Sequence, residues 1–393
     1  MEVADRGVTL FRWEGLNAMA AMQYRALGKT GLKVSALAMG CMRLPENDSD
    51  LAAAVVDAAV EAGINYFETT RGYINGKCQH LVAPGLKGRS RGLIVSGKAG
   101  VNEETTADSY RQEIDLQMQI LGVDYLEFFQ VGWFSLEKLP LLTKDDGALT
   151  ALDKARSEGI ISHIGFTGHD QPENVVKLVE TGIFDSVTLA YNMVNRSYAP
   201  AIRRAAELGV GVVVMCPVAG GMLAAPAPQL QELIPGGSQT TAAAALQFVL
   251  ANLGVSCACS GMNTLQMVEE NVATVASFSG MHDEDWLRMN GVLDQFATVG
   301  DRFCTACGYC MDCPEGVDIP GIFRLYNYAK VYGLEDWARL QYQRMDPAKR
   351  AEACVKCGTC EPNCPHKISI MDQLEEVAEA LGVSAGTQSR DSE

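Results

Sequence analysis

The sequence of 393 residues predicts an α/β fold: a barrel of eight parallel strands followed by a small cysteine-rich domain. Between about residues 36 and 275, short apolar runs alternate with amphipathic helical stretches. Such alternation is typical of parallel βαβ units, and eight of them favour a closed (β/α)8 TIM barrel. After about residue 295 the alternation stops and cysteines become dense, which marks a second domain.

The eight predicted strands are short runs rich in apolar residues, and a stretch able to form a helix follows each one. They are ALAMG (36–40), INYFE (64–68), LIVSG (93–97), LEFFQV (126–131), ISHIGF (161–166), SVTLA (186–190), VGVVVM (210–215) and VSCACS (255–260). Gly63, Gly159 and Gly209 each end a helical stretch and precede a strand. Glycine at such a position can adopt the left-handed conformation that ends a helix.

Two segments between these strands also have a clear pattern. Residues 23–35, QYRALGKTGLKVS, hold a glycine-containing turn between two β-like runs, which predicts a hairpin before the first barrel strand. Residues 107–122 predict a helix with one buried face. The residues of that face recur at intervals of three and four: Tyr110, Ile114, Met118 and Leu121.

Composition excludes several classes of protein. The formal net charge of −16 argues against binding to nucleic acid or to anionic membrane surfaces. No apolar run reaches the roughly 18 residues of a membrane span, and the first 21 residues do not resemble a secretory signal. Thirteen cysteines without an export signal therefore indicate a cytoplasmic protein whose thiols serve as ligands or core residues.

Two cysteine runs dominate the C-terminal region, and each ends in Cys-Pro. They are Cys304-x2-Cys307-x2-Cys310-x2-Cys313 and Cys354-x2-Cys357-x2-Cys360-x3-Cys364. The second run reproduces the bacterial ferredoxin spacing, in which the fourth cysteine of a run binds the other cluster. The sequence thus predicts a small α-helical, ferredoxin-like domain with two [4Fe–4S] clusters, and roughly 40 residues of apparent helix (Ile319 to Ala353) lie between the runs.

Crossed ligation divides the eight cysteines into two sets. The first cluster takes Cys304, Cys307, Cys310 and Cys364, and the second takes Cys354, Cys357, Cys360 and Cys313. Zinc is the alternative, but zinc usually uses two separated CxxC pairs, which these runs match poorly. Of the other cysteines, Cys257 and Cys259 lie two apart in a predicted strand and are expected to be buried in the barrel.

The domain division follows from these patterns. It places an N-terminal extension at 1–22, the barrel at 23–295, the ferredoxin-like domain at 296–380 and a polar tail at 381–393. The extension is either an additional arm or the product of a start assigned upstream of Met22.

Several barrel motifs, together with the cysteine runs, resemble the aldo-keto reductases that carry a C-terminal 4Fe–4S ferredoxin-type domain. The motifs are YRALGKTGLKVSALAMGCMRL, INYFETTRGY, VDYLEFFQ, ISHIGFTGHD, YNMVN and SGMNTLQMVEEN. The resemblance runs from about Gln23 to Ile370. It implies a TIM barrel and an oxidoreductase that acts on a small organic substrate.

In that family a tyrosine at the barrel mouth protonates the substrate carbonyl while a nicotinamide delivers hydride. The resemblance assigns this role to Tyr73, with Lys98 beside it, and the lysine is expected to lower the pKa of the phenol. Glu68 stands where the family has an aspartate, and Gly132 where it has a histidine. Gly132 is expected to leave empty space there, and His169 is a candidate to replace the imidazole.

The nucleotide site that the resemblance implies is less complete. Gly220, Gly221 and Gly261 would let backbone amides approach phosphates, and Glu270 and Asn271 match the pair at the adenine end. The loop after the eighth strand, GMNTLQMVEEN, has no lysine or arginine for a 2′-phosphate. NADP(H) and NAD(H) therefore both stay open as cofactors.

The sequence as a whole predicts an iron–sulfur oxidoreductase of aldo-keto reductase type with a redox partner protein. Because clusters move single electrons and nicotinamide moves hydride, either a flavin or direct electron delivery to the substrate must connect them. One alternative is an electron-transfer subunit or scaffold with a vestigial barrel site. Another is a non-redox isomerase or lyase that uses Tyr73 as a base.

Overall fold

The computed structural model describes residues 22–89, 92–294, 304, 308–311, 313–332 and 335–382. Almost all of the predicted N-terminal extension, most of the polar tail and Cys307 lie outside the described residues. Within the described ranges, no helix is both long enough and apolar enough to cross a bilayer.

The described residues form ten strands. Strands β1 (Tyr24–Ala26) and β2 (Lys33–Ser35) pair antiparallel as the predicted hairpin. The barrel strands are β3 (Leu37–Gly40), β4 (Tyr66–Glu68), β5 (Ile94–Ala99), β6 (Leu126–Phe134), β7 (Ile161–Gly168), β8 (Ser186–Ala190), β9 (Gly211–Met215) and β10 (Cys257–Ser260). These eight pair in chain order, all parallel, and β10 closes the barrel against β3. The predicted barrel is confirmed.

Helices surround the barrel and build the second domain. The barrel helices are α1 (Ser49–Glu61), α2 (Cys78–Leu86), α3 (Ala107–Leu121), α4 (Leu139–Thr143), α5 (Ala148–Ser157), α6 (Pro172–Glu180), α7 (Ala199–Leu208), α8 (Pro228–Gln231), α9 (Thr241–Ala251), α10 (Leu265–Ser277) and α11 (Asp283–Asp294). The second domain has α12 (Ile319–Tyr332), α13 (Glu335–Arg344) and α14 (Ile370–Leu381). Gly63, Gly159 and Gly209 have φ values of 88°, 72° and 74°, as predicted for residues that end helices.

Helix α3 follows the predicted burial pattern at three of its four positions. Tyr110, Ile114 and Leu121 are buried, as predicted. Met118 is only partly buried, whereas Gln117 is fully buried on the same helix. Gln117 can be buried because its amide forms hydrogen bonds to the main chain of strand β5.

The β1–β2 hairpin covers the amino-terminal end of the barrel. Leu27 and Val34 pack into an interior cluster with Tyr66 and with Cys257 and Cys259. Both cysteines are buried, as predicted. The carboxyl-terminal end of the strands is therefore the mouth, where the catalytic groups of TIM barrels lie.

The second domain has its own apolar core, and it contacts the barrel. Helices α12 and α13 occupy much of the predicted helical stretch, which then ends in two short 3-10 turns, Pro347–Lys349 and Ala351–Ala353. Tyr328 packs against the cores of both domains, and Asn327 Nδ2 lies 3.2 Å from Met222 Sδ. The second domain thus contacts the barrel at the loop that follows β9.

Candidate active site and cysteine pockets

Three predicted catalytic residues meet at the barrel mouth. Glu68 ends β4 and Lys98 lies near the end of the adjacent β5. Lys98 Nζ donates hydrogen bonds to Glu68 Oε1, at 2.6 Å, and to the Tyr73 hydroxyl. The side chains of Lys98 and Glu68 are only 3% and 7% exposed. A buried ion pair of this kind holds both charges in place, since loss of either partner leaves the other charge buried without a counter-ion.

The main chain of Lys98 is held by side chains that the sequence analysis did not identify. Gln117 Nε2 and Thr70 Oγ1 donate to the Lys98 carbonyl at 2.8 Å and 2.7 Å. Gln117 Oε1 accepts from the Lys98 amide at 3.2 Å and from Gln79 Nε2 at 2.8 Å. The sequence signal that could have identified Gln117 was the presence of an amide residue on the otherwise apolar face of α3. These contacts fix the strand from which Lys98, the candidate catalytic lysine, projects.

The protonation of Tyr73 differs from the expectation. Its pKa is raised well above the usual value, first by burial and then by the negative charge of Glu68 and by Tyr309. The prediction that Lys98 lowers this pKa is wrong in its net direction, because Glu68 balances the charge of Lys98 and burial penalises the phenolate. Tyr73 is therefore a protonated phenol at neutral pH, which suits a proton donor.

Trp133 lies in a bulge at the end of β6. The register of the β6–β7 pairing shifts between Val131 and Phe134, and Trp133 has a φ of 48°. A left-handed conformation is strained for a bulky residue, and such strain clusters at functional sites. The Trp133 amide donates to Thr167 Oγ1 at 2.8 Å, which stabilises the bulge. Bulges beside active sites commonly redirect a side chain.

Gly132 does not leave the empty space that the sequence suggested. A β-carbon at this position would lie 2.8 Å from Lys98 Cγ and 3.2 Å from Lys98 Cδ. The volume beside Gly132 is thus occupied by the side chain of Lys98. The expectation that Gly132 leaves space is wrong next to its α-carbon, since the lysine stem fills that volume.

We expect Gly132→Ala to lower turnover by about tenfold or more, because displacing Lys98 weakens charged hydrogen bonds worth about 1.5–3 kcal/mol. Gly100→Ala is the matched control, since its β-carbon would make ordinary 3.7 Å contacts with Gly132 O and Trp133 Cε3. Steady-state kinetics of both variants check this. Equal activity in Gly132→Ala and wild type would show that Lys98 adapts without loss.

His169 follows β7 at the mouth. Its Nδ1 lies 3.1 Å from the Thr167 carbonyl oxygen, which can only accept, so Nδ1 carries the proton and Nε2 is an acceptor. Burial lowers the His169 pKa to about 3, and the charge of Lys98 contributes. A neutral imidazole in this tautomer cannot donate a hydrogen bond from Nε2 to a substrate carbonyl.

A residue of the first cysteine run reaches the barrel mouth. Trp133 Nε1 donates to the Tyr309 hydroxyl at 2.9 Å, and the two rings form an edge contact with centroids 6.3 Å apart. Trp133, His169, Tyr309 and Cys364 line one cleft of about 830 Å³ between the domains. The cysteine spacing predicted ligands but gave no signal for the residue between two of them.

The cysteines of the second domain gather around two pockets. One is lined by Cys304, Cys310 and Cys364, and the other by Cys313, Cys354, Cys357 and Cys360. These are the two sets that the crossed spacing assigns, apart from Cys307, which lies outside the described residues. Ile319 lines both pockets, so the two are neighbours.

The pockets fit iron–sulfur clusters in their donor set and surroundings. Cys304, Cys310 and Cys364 are each 8% exposed and Phe323 lines the same pocket, whereas Cys357 of the second pocket is exposed. Among the described residues, no group of three or more His, Cys, Asp or Glu is arranged for one metal ion. Thiolates that bind separate corners of a cluster lie farther apart than four thiolates on one zinc.

The predicted phosphate-binding glycines lie in loops at the mouth. Gly220 and Gly221, in the segment Ala219–Ala224 after β9, have φ values of 67° and 99°. Gly261 follows β10, and a β-carbon there would lie 2.8 Å from Arg43 Cγ. The stem of Arg43, from the loop after β3, therefore packs against a loop whose own sequence lacks a cation. Sequence reasoning missed it because the two loops are far apart in the chain.

The predicted adenine-end pair lies on α10. Glu270 Oε1 accepts from Gln266 Nε2 at 2.7 Å, and Asn271 Nδ2 donates to Ser260 Oγ at 3.3 Å. Asn271 is thereby tied to the end of β10. Glu270 is held by a neighbour on its own helix, so both side chains have defined positions beside the loop that contains Gly261.

Comparison with known proteins agrees with this geometry. Residues 36–294 match the aldo/keto reductase family, and residues 303–369 match a 4Fe–4S dicluster domain. The chain is 29% identical to L-galactose dehydrogenase of Arabidopsis thaliana over 310 residues, which are 70% of this chain and 96% of that protein. It is 25% identical to the NADH-specific methylglyoxal reductase of Escherichia coli over 242 residues, 54% of this chain and 72% of that protein.

A solved structure shows the same barrel. An aldo-keto reductase from Bacillus halodurans, in its holo form, superposes with a TM-score of 0.61 at 25% identity. The match covers 69% of this chain and 96% of that one. The barrel, its mouth residues and the family match together establish an oxidoreductase fold with an iron–sulfur domain attached. The chain belongs to the aldo/keto reductase family and carries a 4Fe–4S dicluster domain after its barrel.

Proposed function

We propose that this protein is an iron–sulfur oxidoreductase that transfers electrons between two [4Fe–4S] clusters and a small organic substrate at the barrel mouth. The observation that carries the proposal is the contact between Trp133 and Tyr309, which joins the first cysteine pocket to the site of Tyr73 and Lys98. A scaffold role would not require an aromatic pair to connect the cluster loop with the Lys98–Glu68 ion pair.

The two pockets would hold the clusters by crossed ligation. The first cluster takes Cys304, Cys307, Cys310 and Cys364, and the second takes Cys354, Cys357, Cys360 and Cys313. When bound, the clusters supply single electrons. The exposed thiol of Cys357 places the second pocket nearer to solvent, so a redox partner would exchange electrons there. The first pocket, beside the mouth, faces the substrate.

The side chains at the barrel mouth would donate a proton to the substrate and stabilise the group that loses it. Tyr73 donates its hydroxyl proton to the substrate oxygen, a contribution of about 10²–10⁴ in rate for a positioned general acid. The ammonium of Lys98 donates to the Tyr73 oxygen and stabilises the phenolate that remains. Glu68 Oε1 accepts from Lys98 Nζ at 2.6 Å and so holds the lysine in place while the phenol loses and regains its proton.

We also propose that a nicotinamide dinucleotide binds along the loops after β9 and β10. Gly220 and Gly221 have positive φ values in the loop after β9, where the Gly221 amide donates to the Val218 carbonyl at 2.9 Å, and Gly261 lies beside Arg43. The name of the Escherichia coli relative specifies NADH, and the loop after β10 has no cation of its own. The relative's cofactor favours NAD(H) for this chain, and comparison of NADH with NADPH tests whether Arg43 takes the place of the missing cation.

We expect Arg43→Ala to weaken nucleotide binding by about tenfold, the effect of losing one charge-assisted contact of about 1.5 kcal/mol. Arg89→Ala is the control, because Arg89 pairs with Asp57 on the barrel surface. Titration of the anaerobic protein with NADH and NADPH measures both affinities. An unchanged Kd in Arg43→Ala would remove this arginine from the nucleotide site.

The principal test uses protein purified without oxygen. We expect about eight iron ions per chain and EPR signals of reduced clusters after treatment with dithionite. Addition of carbonyl compounds should then re-oxidise the clusters. Full iron content with no re-oxidation by any aldehyde, ketone or enone would contradict the proposal and favour a scaffold or electron-transfer subunit.

A further inference from the structure

The Trp133–Tyr309 pair lies between the catalytic lysine and the first cysteine pocket. On one side, Lys98 Nζ is 5.6 Å from the centre of the Trp133 ring. On the other side, Tyr309 is adjacent in sequence to Cys310, whose side chain lines the first pocket. Because Trp133 Nε1 donates to the Tyr309 hydroxyl at 2.9 Å, the two rings form a continuous link between the domains.

The same pair forms aromatic walls of the interdomain cleft. Trp133 and Tyr309 meet at an interplanar angle of 80°, so they offer two differently oriented ring surfaces. The cleft of about 830 Å³ is within the size range of small-molecule sites. A flat, conjugated molecule gains stacking or edge contacts against such rings, whereas a compact aliphatic ketone does not. Trp133 is held in this position by its strained bulge.

The chemistry at the mouth also selects among carbonyl compounds. A cluster releases electrons one at a time, so the acceptor must carry a single added electron before the second arrives. A conjugated carbonyl spreads that charge over several atoms, and an isolated ketone concentrates it on two. In addition, Gly132 has no side chain to stabilise the oxygen, and His169 presents an acceptor nitrogen. These features disfavour an isolated ketone.

We propose that the interdomain cleft lined by Trp133 and Tyr309 binds a planar conjugated carbonyl compound, an enone or a quinone, as the substrate. This inference rests on the proposed function and names its substrate class. For an enone, the C=C bond is reduced with two electrons and two protons. The two clusters, when bound, would supply one electron each. Tyr73 donates one proton to the oxygen and solvent donates the other to the β-carbon, and the resulting enol then tautomerises to the saturated ketone while Tyr73 regains its proton from solvent. A reduced low-potential one-electron carrier protein restores the clusters.

The first test measures binding without turnover. The probes are 4-phenyl-3-buten-2-one and 4-phenyl-2-butanone, which differ only in the conjugated double bond. Calorimetry on the oxidised protein with both clusters should show the enone binding about tenfold more tightly, because conjugation extends its flat surface beyond the phenyl ring that both probes share. Tyr309→Phe and Trp133→Phe should weaken enone binding. Tyr326→Phe is the control, because its hydroxyl bonds to Glu376 within the second domain.

The second test follows electrons in the same proteins. Clusters reduced with dithionite and freed of excess reductant are mixed with each probe, and the return of cluster absorbance is timed. The enone should re-oxidise wild type and Tyr326→Phe at least about tenfold faster than Tyr309→Phe or Trp133→Phe, in line with the weaker contact. Equal rates with both probes, or unchanged rates in both cleft variants, would overturn this inference alone. No re-oxidation by either probe would also overturn this inference, and the proposed function falls only if the wider set of aldehydes, ketones and enones fails to re-oxidise the clusters too.

Discussion

Tyr73→Phe is expected to lower substrate turnover by about a thousandfold, within the range of a lost general acid, while iron content and cluster EPR stay unchanged. The reason lies in the geometry of the mouth. Tyr73 accepts from Lys98 Nζ and so has its own proton to give, and burial keeps that proton on the phenol at neutral pH. Phenylalanine keeps the ring and removes only the proton and its acceptor oxygen.

Tyr24→Phe provides the control for loss of a phenol. The Tyr24 hydroxyl donates to the Gly63 carbonyl at 2.7 Å on the hairpin that covers the opposite end of the barrel. Its variant should retain full activity. If Tyr73→Phe kept its activity as well, the proton would come from elsewhere, and the buried pair of Lys98 and Glu68 would have only a structural role.

Much of the architecture could be predicted because it depends on local patterns. The strands alternate with helices at regular intervals, and left-handed glycines such as Gly63 and Gly159 end helices in a way that few other residues can. Three cysteines of each set lie within one short run, and the ferredoxin spacing assigns the fourth to the other run, so both sets could be predicted before the pockets were known.

The residues that sequence reasoning missed all act across long separations in the chain. Gln117 on α3 donates a hydrogen bond to the main chain of Lys98 on β5. Arg43, in the loop after β3, contacts Gly261 in the loop after β10. Tyr309 meets Trp133 across the domain boundary. No periodicity or motif records such contacts, because each depends on how separate elements pack.

The Gly132 and Tyr73 corrections share one physical cause. Read from the sequence alone, a glycine suggests unoccupied volume and a lysine suggests a positive charge with no counter-ion beside it. In the folded chain, the stem of Lys98 fills the volume beside Gly132, and its charge is balanced by Glu68 at 2.6 Å. Both effects come from the burial of one side chain, and neither is visible before the strands are assembled.

Crossed ligation, in which each cluster takes its fourth cysteine from the other run, can be distinguished by experiment from sequential ligation, in which each run holds one cluster. Cys364→Ser alters the last cysteine of the second run, yet we expect it to destabilise the first cluster, because Cys364 lines a pocket with Cys304 and Cys310. Cys313→Ser should instead destabilise the second. Each single variant should retain about four iron ions per chain instead of about eight. Cys216→Ser, outside both pockets, should lose none.

Double variants decide the assignment, since two substitutions at one cluster cost no more than one. Cys304→Ser with Cys364→Ser should still retain about four iron ions, whereas Cys354→Ser with Cys364→Ser should retain about none. Sequential ligation, in which each run holds one cluster, requires the opposite pattern. A folded barrel in every variant, measured by circular dichroism, ensures that iron loss reports ligation. Because Cys364 also lines the cleft with Trp133, the variants that lose the first cluster should lose electron delivery to the mouth.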